Sequence, residues 1–120
     1  MHQSRHRIEP GEVTVGQWLS FYSREFPEGA GRLDYFYDQS RVQESKGHVV
    51  SRWKVIGNPV KTISLYVIDI SCLDRTFTET GTTIFDAEGH ARVLSQSERY
   101  TGRQIEAGTS ADVFQRAHCR

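Results

Sequence analysis

The sequence predicts an α+β domain, an antiparallel β-meander sheet of about six strands packed by a short C-terminal helix. Three observations predict it. From residue 13 to about residue 100, short runs rich in β-branched and aromatic residues alternate with turn residues. No helical spacing separates those runs, which argues against alternating β and α units and a parallel sheet. Only beyond residue 108 does the apolar period lengthen from two towards 3.6. At 120 residues and 37% hydrophobic composition, the chain is one domain, able to bury roughly two-thirds of its unfolded surface.

Residues 1–12 read as a flexible arm, and 13–120 as the single folded domain. The first strand lies within "VTVGQWLSFYSREF" and ends at "PEGAG". "RLDYFYD" follows, then the polar turn "QSRVQESKG". In "HVVSRWKVI", period two places Val49, Ser51, Trp53 and Val55 on one face, with Arg52 and Lys54 on a wet one. Gly57-Asn58 and Asn58-Pro59 mark the next turn. "ISLYVIDISC" is the strongest strand: Tyr66, Ile68, Ile70 and Cys72 share a face, while Ile63, Leu65 and Val67 share the other. Apolar residues on both faces place it centrally, with Asp69 at the edge of the buried area or paired with an arginine. "RTFTETGTTIF" is Thr-rich and extended; "DAEG" turns it into a last strand, "HARVLSQSERY".

The closing "TSADVFQRAHCR" offers Thr109 or Ser110 as a helix cap. Val113, Phe114 and Ala117 then fall on one helical face. Cys119 would point away from that face, so it turns inward only if the helix ends at about Ala117 or His118.

Charge and compartment narrow the function classes. Fifteen basic and fifteen acidic side chains cancel, which argues against an electrostatic nucleic-acid binder. No apolar run reaches the roughly 18 residues of a membrane span. The opening "MHQSRHRIEPGE" has basic residues but no apolar stretch behind them, so it is no secretory signal. The chain is then either cytosolic or the mature part of an exported protein.

No catalytic signature stands out. Among five histidines only His2 and His6 have the i, i+4 spacing of a helical metal pair, and they lie in the arm. His48 and His90 flank turns, and His118 sits near a helix end, where a cation is favoured. Asp34, Asp38, Asp69, Asp74 and Asp86 are scattered over strand ends and turns. The expectation is no catalytic residue, no metal and no cofactor, and no binding residue is singled out. Trp18, Phe21, Tyr22, Tyr35, Phe36, Tyr37 and Trp53 crowd the first half. They build the core and cover the sheet's second face, or form a patch for a partner; one ring of Tyr35–Phe36–Tyr37 must point away from the helix.

Spacing leaves Cys72 and Cys119 open between a disulfide and two free buried thiols. There is no Cys-x-x-Cys and no ligand partner nearby for a metal. A set of motifs in order bears on the choice: "FYDQSRV" at 36–42, "VVSRW" at 49–53, "IDISCLDRTF" at 68–77, "FDAEGHAR" at 85–92 and "IEAGTSADVFQRAHC" at 105–119. Together they resemble the surface-adhesin protein E family of bacterial exported proteins over about residues 14–119. Phe36, Ala107 and Thr109 depart from that family's Tyr, Pro and Ser. The resemblance implies an extracytoplasmic domain whose export signal has been removed, a Cys72–Cys119 disulfide tethering the helix, and a non-enzymatic role in binding proteins. The partners to expect are a host or envelope protein, or a second copy in a homodimer. Alternatives are a structural subunit of the envelope and a small-molecule carrier or enzyme using a cleft between helix and aromatics.

Overall fold

The computed structural model describes residues 16–119. The expected arm at 1–12, with His2 and His6, lies outside the described residues. The observed order is β1 (Trp18–Glu25), β2 (Arg32–Asp38), β3 (Gln43–Ser45), β4 (His48–Asn58), β5 (Thr62–Ser71), β6 (Thr76–Phe85), β7 (Ala91–Val93), β8 (Arg103–Gln104) and one helix, α1 (Ser110–His118). The strands form one antiparallel sheet in the order β1-β2-β4-β5-β6-β7. Short β3 extends the β2 edge of β4, and β8 pairs with the start of β6. The predicted α+β meander is therefore what the chain forms.

Two of the short strands mark differences from the sequence reading. "QSRVQESKG" is not simply a turn: Asp38 caps a 3-10 turn at Gln39–Arg41, and β3 then hairpins onto β4 through Lys46-Gly47. Lys46 and Gly47 both have positive φ, 52° and 80°, as a tight two-residue hairpin requires. "HARVLSQSERY" is not one long strand. It leaves the sheet after Val93, because Ser95 and Glu98 close a capping box around a 3-10 turn at Gln96–Glu98.

Alternation on the central strands holds. Val49, Trp53, Ile68 and Ile70 are buried on one face and meet Ala111 and Phe114 of α1, with Ile105 closing the group. Phe114 is 1% exposed and lies, centroid to centroid, 5.4 Å from Phe21, 5.2 Å from Tyr37 and 5.3 Å from Trp53. A bulge in β1 between Ser20 and Tyr22 lets both Phe21 and Tyr22 serve the helix side. Phe36 takes the opposite face, as required of one of the three adjacent rings.

The wet face assigned to Arg52 and Lys54 is only half so. Arg52 is exposed, but Lys54 is 8% exposed, its ammonium 4.7 Å from the Trp18 ring centre and 5.5 Å from that of Phe36. Two rings flanking the stem allow the lysine to lie flat, with its charge on their π faces. Burial lowers its pKa from the usual lysine range.

Thr109 caps α1, its hydroxyl accepting from the Asp112 amide at 3.3 Å. The buried helix face is Ala111, Asp112, Phe114 and Gln115, rotated from the expected Val113–Phe114–Ala117; Val113 is half-buried and Ala117 exposed. The rotation follows from Phe114, which the ring cluster takes as its centre, and from His118, which stacks on Phe114 at 4.0 Å one turn later. The helix stops at His118, and Cys119 adopts extended backbone and bonds to Cys72, with Cα atoms 5.6 Å apart.

Candidate functional site

Several expected chemical residues are dispersed and occupied locally. Asp34 accepts from Ser23, Arg32 and Asn58. Asp38 is buried; burial pushes its carboxyl up, but Ser40, the amides of Gln17 and Ser40, and Arg41 hold it below the ordinary range. Asp69 sits near the edge of the buried area, and its partner is His48 at 2.9 Å rather than an arginine. Asp74 bonds Ser71. Asp86 closes the β6–β7 turn by accepting from the amides of Glu88 and His90, which, with His90's ring, hold its carboxyl low. Asp86, Glu88 and His90 are the one metal-capable cluster among the described residues, and all three are exposed. A hollow of about 260 Å³ borders the disulfide, lined by Lys46, His48 and His118 among others.

A more organised site lies at the opposite end of α1, where its first turn meets β2, β5 and β6. A cleft of about 160 Å³ opens there, walled by Tyr35, Trp53, Tyr66, Phe77 and Tyr100, with Ser110 and Ala111 from the helix. The single carboxylate in its lining is Glu79. A second hollow of about 180 Å³ continues past Phe77 and Tyr100 towards Arg103 and Thr109. Arg103 lays its guanidinium 4.5 Å from the Tyr100 ring centre, and Phe77 meets Tyr100 edge-on at 6.0 Å.

Each wall has a local cause. In β6, Val67 pairs with Gly81 and Ile68 with Glu79, so Thr80 is an extra, bulged residue. Phe77 and Glu79 lie on the helix side, and the bulge returns Thr82 to that side as well, opposite Tyr66. Tyr100 is brought in by the irregular segment after β7: its carbonyl accepts from the Glu79 amide at 2.9 Å, and Arg99 donates to the Thr80 carbonyl. Two tyrosines pin the helix start, Tyr22 by donating to the Gly108 carbonyl at 2.8 Å, and Tyr35 through Ser110.

The electrostatics follow from partial burial. Desolvation raises the pKa of Glu79 above its ordinary value, against the Tyr100 backbone N–H, the Thr82 hydroxyl at 3.4 Å and the charge of Arg99. Arg99 acts on it only through space, and no basic side chain among the described residues reaches ion-pair distance of Glu79. Burial likewise raises the Tyr35 and Tyr66 phenols, the first opposed by its bond to Ser110 and the second by one to Ser64. The cleft thus presents neutral phenols and one carboxyl that gains by acquiring a positive neighbour.

The sequence reading singled out Tyr35 and Trp53 but missed Tyr66, Phe77, Glu79 and Tyr100 as a group. Neither a family model, nor a curated protein, nor a solved structure matches the chain.

Proposed function

We propose that the chain is an extracytoplasmic bacterial binding module of the surface-adhesin protein E kind, working without catalysis by gripping a side chain of a protein partner. One observation carries this reading: the cleft at Glu79. It is concave, open at the surface and lined by tyrosines, the residue type most used in recognition. Its volume of about 160 Å³ falls below the roughly 300–1,000 Å³ typical of pockets that enclose a drug-sized molecule. A cleft of that size suits one projecting group rather than an enclosed metabolite.

The compartment part of the reading draws on two facts. The disulfide is of the kind that persists in oxidising compartments. Among the described residues, no helix is long and apolar enough to cross a membrane. Both are compatible with a protein outside the cytosol.

The test is surface binding of the disulfide-intact protein against a panel of matrix and envelope proteins, with light scattering of the free protein alongside. Saturable binding lost on Tyr100→Ala supports the reading. No saturable partner, together with concentration-dependent self-association, would instead assign the chain a structural role in the envelope.

A further inference from the structure

We propose that the cleft at Glu79 is an aromatic cage for an organic ammonium group, a protonated or quaternised amine. The inference deepens the binding-module reading and rests on it for the use of the cleft in recognition.

Five aromatic residues, Tyr35, Trp53, Tyr66, Phe77 and Tyr100, line a volume of about 160 Å³ around one carboxylate. Aromatic faces carry the negative part of the ring quadrupole and attract ammonium groups, above all quaternised ones, which hold their water less tightly. Glu79, when ionised, adds a negative charge to that lining. Since no cation among the described residues closes on it, an incoming ammonium would be a direct counter-ion where Arg99 acts only through space. A hard metal ion fits less well: calcium and magnesium require about six or more oxygen ligands, and the lining offers one carboxylate and a few hydroxyls.

The positive end of α1 borders the cleft at Ser110 and Ala111 and would oppose a cation. That opposition is offset within the helix itself. Thr109 caps the Asp112 amide, and the Asp112 carboxylate occupies the first turn, accepting from the Gly108 amide at 2.9 Å. Asp112 in turn lies 3.8 Å from Arg75 and 3.4 Å from Arg116, so those two arginines are held on the helix rather than in the cleft. At the rim, Arg103 is engaged on the outer Tyr100 ring.

Binding should strengthen with pH. Glu79 must be ionised to attract the ammonium, and because burial raises its pKa, its protonation sets in at higher pH than for an exposed glutamate. The other titratable groups around it are the phenols of Tyr35, Tyr66 and Tyr100, of which burial raises the first two, and Arg99, which acts through space.

The experiment titrates the disulfide-intact protein with tetramethylammonium and n-butylammonium, with tert-butanol as the neutral comparison, at constant ionic strength. Amide NMR shifts locate the site, and Trp53 fluorescence follows it. Expected are saturable shifts at Tyr35, Tyr66, Glu79 and Tyr100, with ammonium binding about tenfold or more tighter than the neutral alcohol. Glu79→Gln should weaken binding about fivefold to tenfold and flatten its rise with pH. Tyr100→Ala, at a ring 49% exposed and therefore tolerant of truncation, should weaken it about threefold or more. A lysine-bearing peptide that outcompetes both free amines assigns the source to a partner's side chain, and the reverse order assigns it to a small amine; either supports the cage. Equal binding of the neutral alcohol, no saturation, or Glu79→Gln binding like the parent overturns it. A protein partner retained by Glu79→Gln and indifferent to ammonium would sink the cage and leave the binding module standing. Ammonium binding with no protein partner would do the opposite.

Discussion

Removing the Cys72–Cys119 bond is the perturbation that most directly tests how the fold is held. The two cysteines are 47 residues apart, and the bond closes the end of β5 onto the end of α1. In the chain-entropy treatment, a closed loop of that length takes about 14 cal/mol/K from the unfolded chain, or about 4 kcal/mol at 25 °C. A domain of roughly a hundred residues unfolds with about 0.2 kcal/mol/K, so the midpoint should fall by about 20 °C. The assay is thermal and urea unfolding of the oxidised protein beside the Cys72→Ala/Cys119→Ala double variant, with amide exchange reporting α1 separately. The expected outcome is one cooperative transition at the lower midpoint, with the urea m-value raised because the unfolded chain is less compact. A loss below about 5 °C would refute the reasoning. So would fraying of α1 alone with the sheet transition unmoved, since either result would make the bond a local tie.

Phe114→Ala should cost about 3–5 kcal/mol in urea unfolding, because the ring is fully buried among Phe21, Tyr37, Trp53 and His118 and its cavity cannot collapse; a cost below about 2 would mean α1 repacks. Lys54→Met should change stability by no more than about 1 kcal/mol in either direction, since the attraction of Trp18 and Phe36 for the ammonium is offset by its desolvation; a loss above about 2 would show the charge to be structural. Glu98 should titrate at about 2 by carboxyl NMR, held down by the Ser95 amide, then by Arg92 and the Ser95 hydroxyl. As a depressed carboxyl, it contributes stability that is present above the ordinary glutamate range and lost as pH falls towards about 2; a midpoint near 4.5 would mean the capping box is open in solution.

The sheet was legible in the sequence because its central strands bury one face fully under the helix and the other only in part, so period two survives along them. β2, β4 and β5 carry that signal, and Tyr66, Ile68, Ile70 and Cys72 share the inner face as their spacing demands. The helix was legible in its extent but not its rotation, since two adjacent apolar residues, Val113 and Phe114, left the facing ambiguous until the ring cluster chose the larger. β7 and the segment after it were over-extended, because a capping box in "SQSE" competes with a run that is otherwise compatible with a strand. Lys54 misled for a different reason: alternation assigns a face but not what covers it, and here two rings cover a charge.

Glu79 was the least legible of all. It sits in a Thr-rich strand where strict alternation with Phe77 is local, and only the Thr80 bulge and the carbonyl of Tyr100, twenty-one residues on, make the place it occupies a cleft. The one available hint was a lone acid in step with an aromatic on a strand otherwise free of charge.

The same helix carries both the staple and the cleft, and its two ends are secured by different means. At nine residues α1 is about 13 Å long, too short to hold its shape unaided. Its far end is tied covalently at Cys119, beside the hollow at His48 and His118. Its near end is held by Tyr22 on Gly108, Tyr35 on Ser110, and Arg75 near Asp112, all independent of sulfur. Phe114 lies between, locking the helix against rotation. The covalent bond therefore sets how stable the folded molecule is, while the tyrosines hold the end of the helix that borders the cleft. Molecules that remain folded after reduction should keep the geometry around Glu79, because the contacts that shape it lie at the end of the helix the disulfide does not reach.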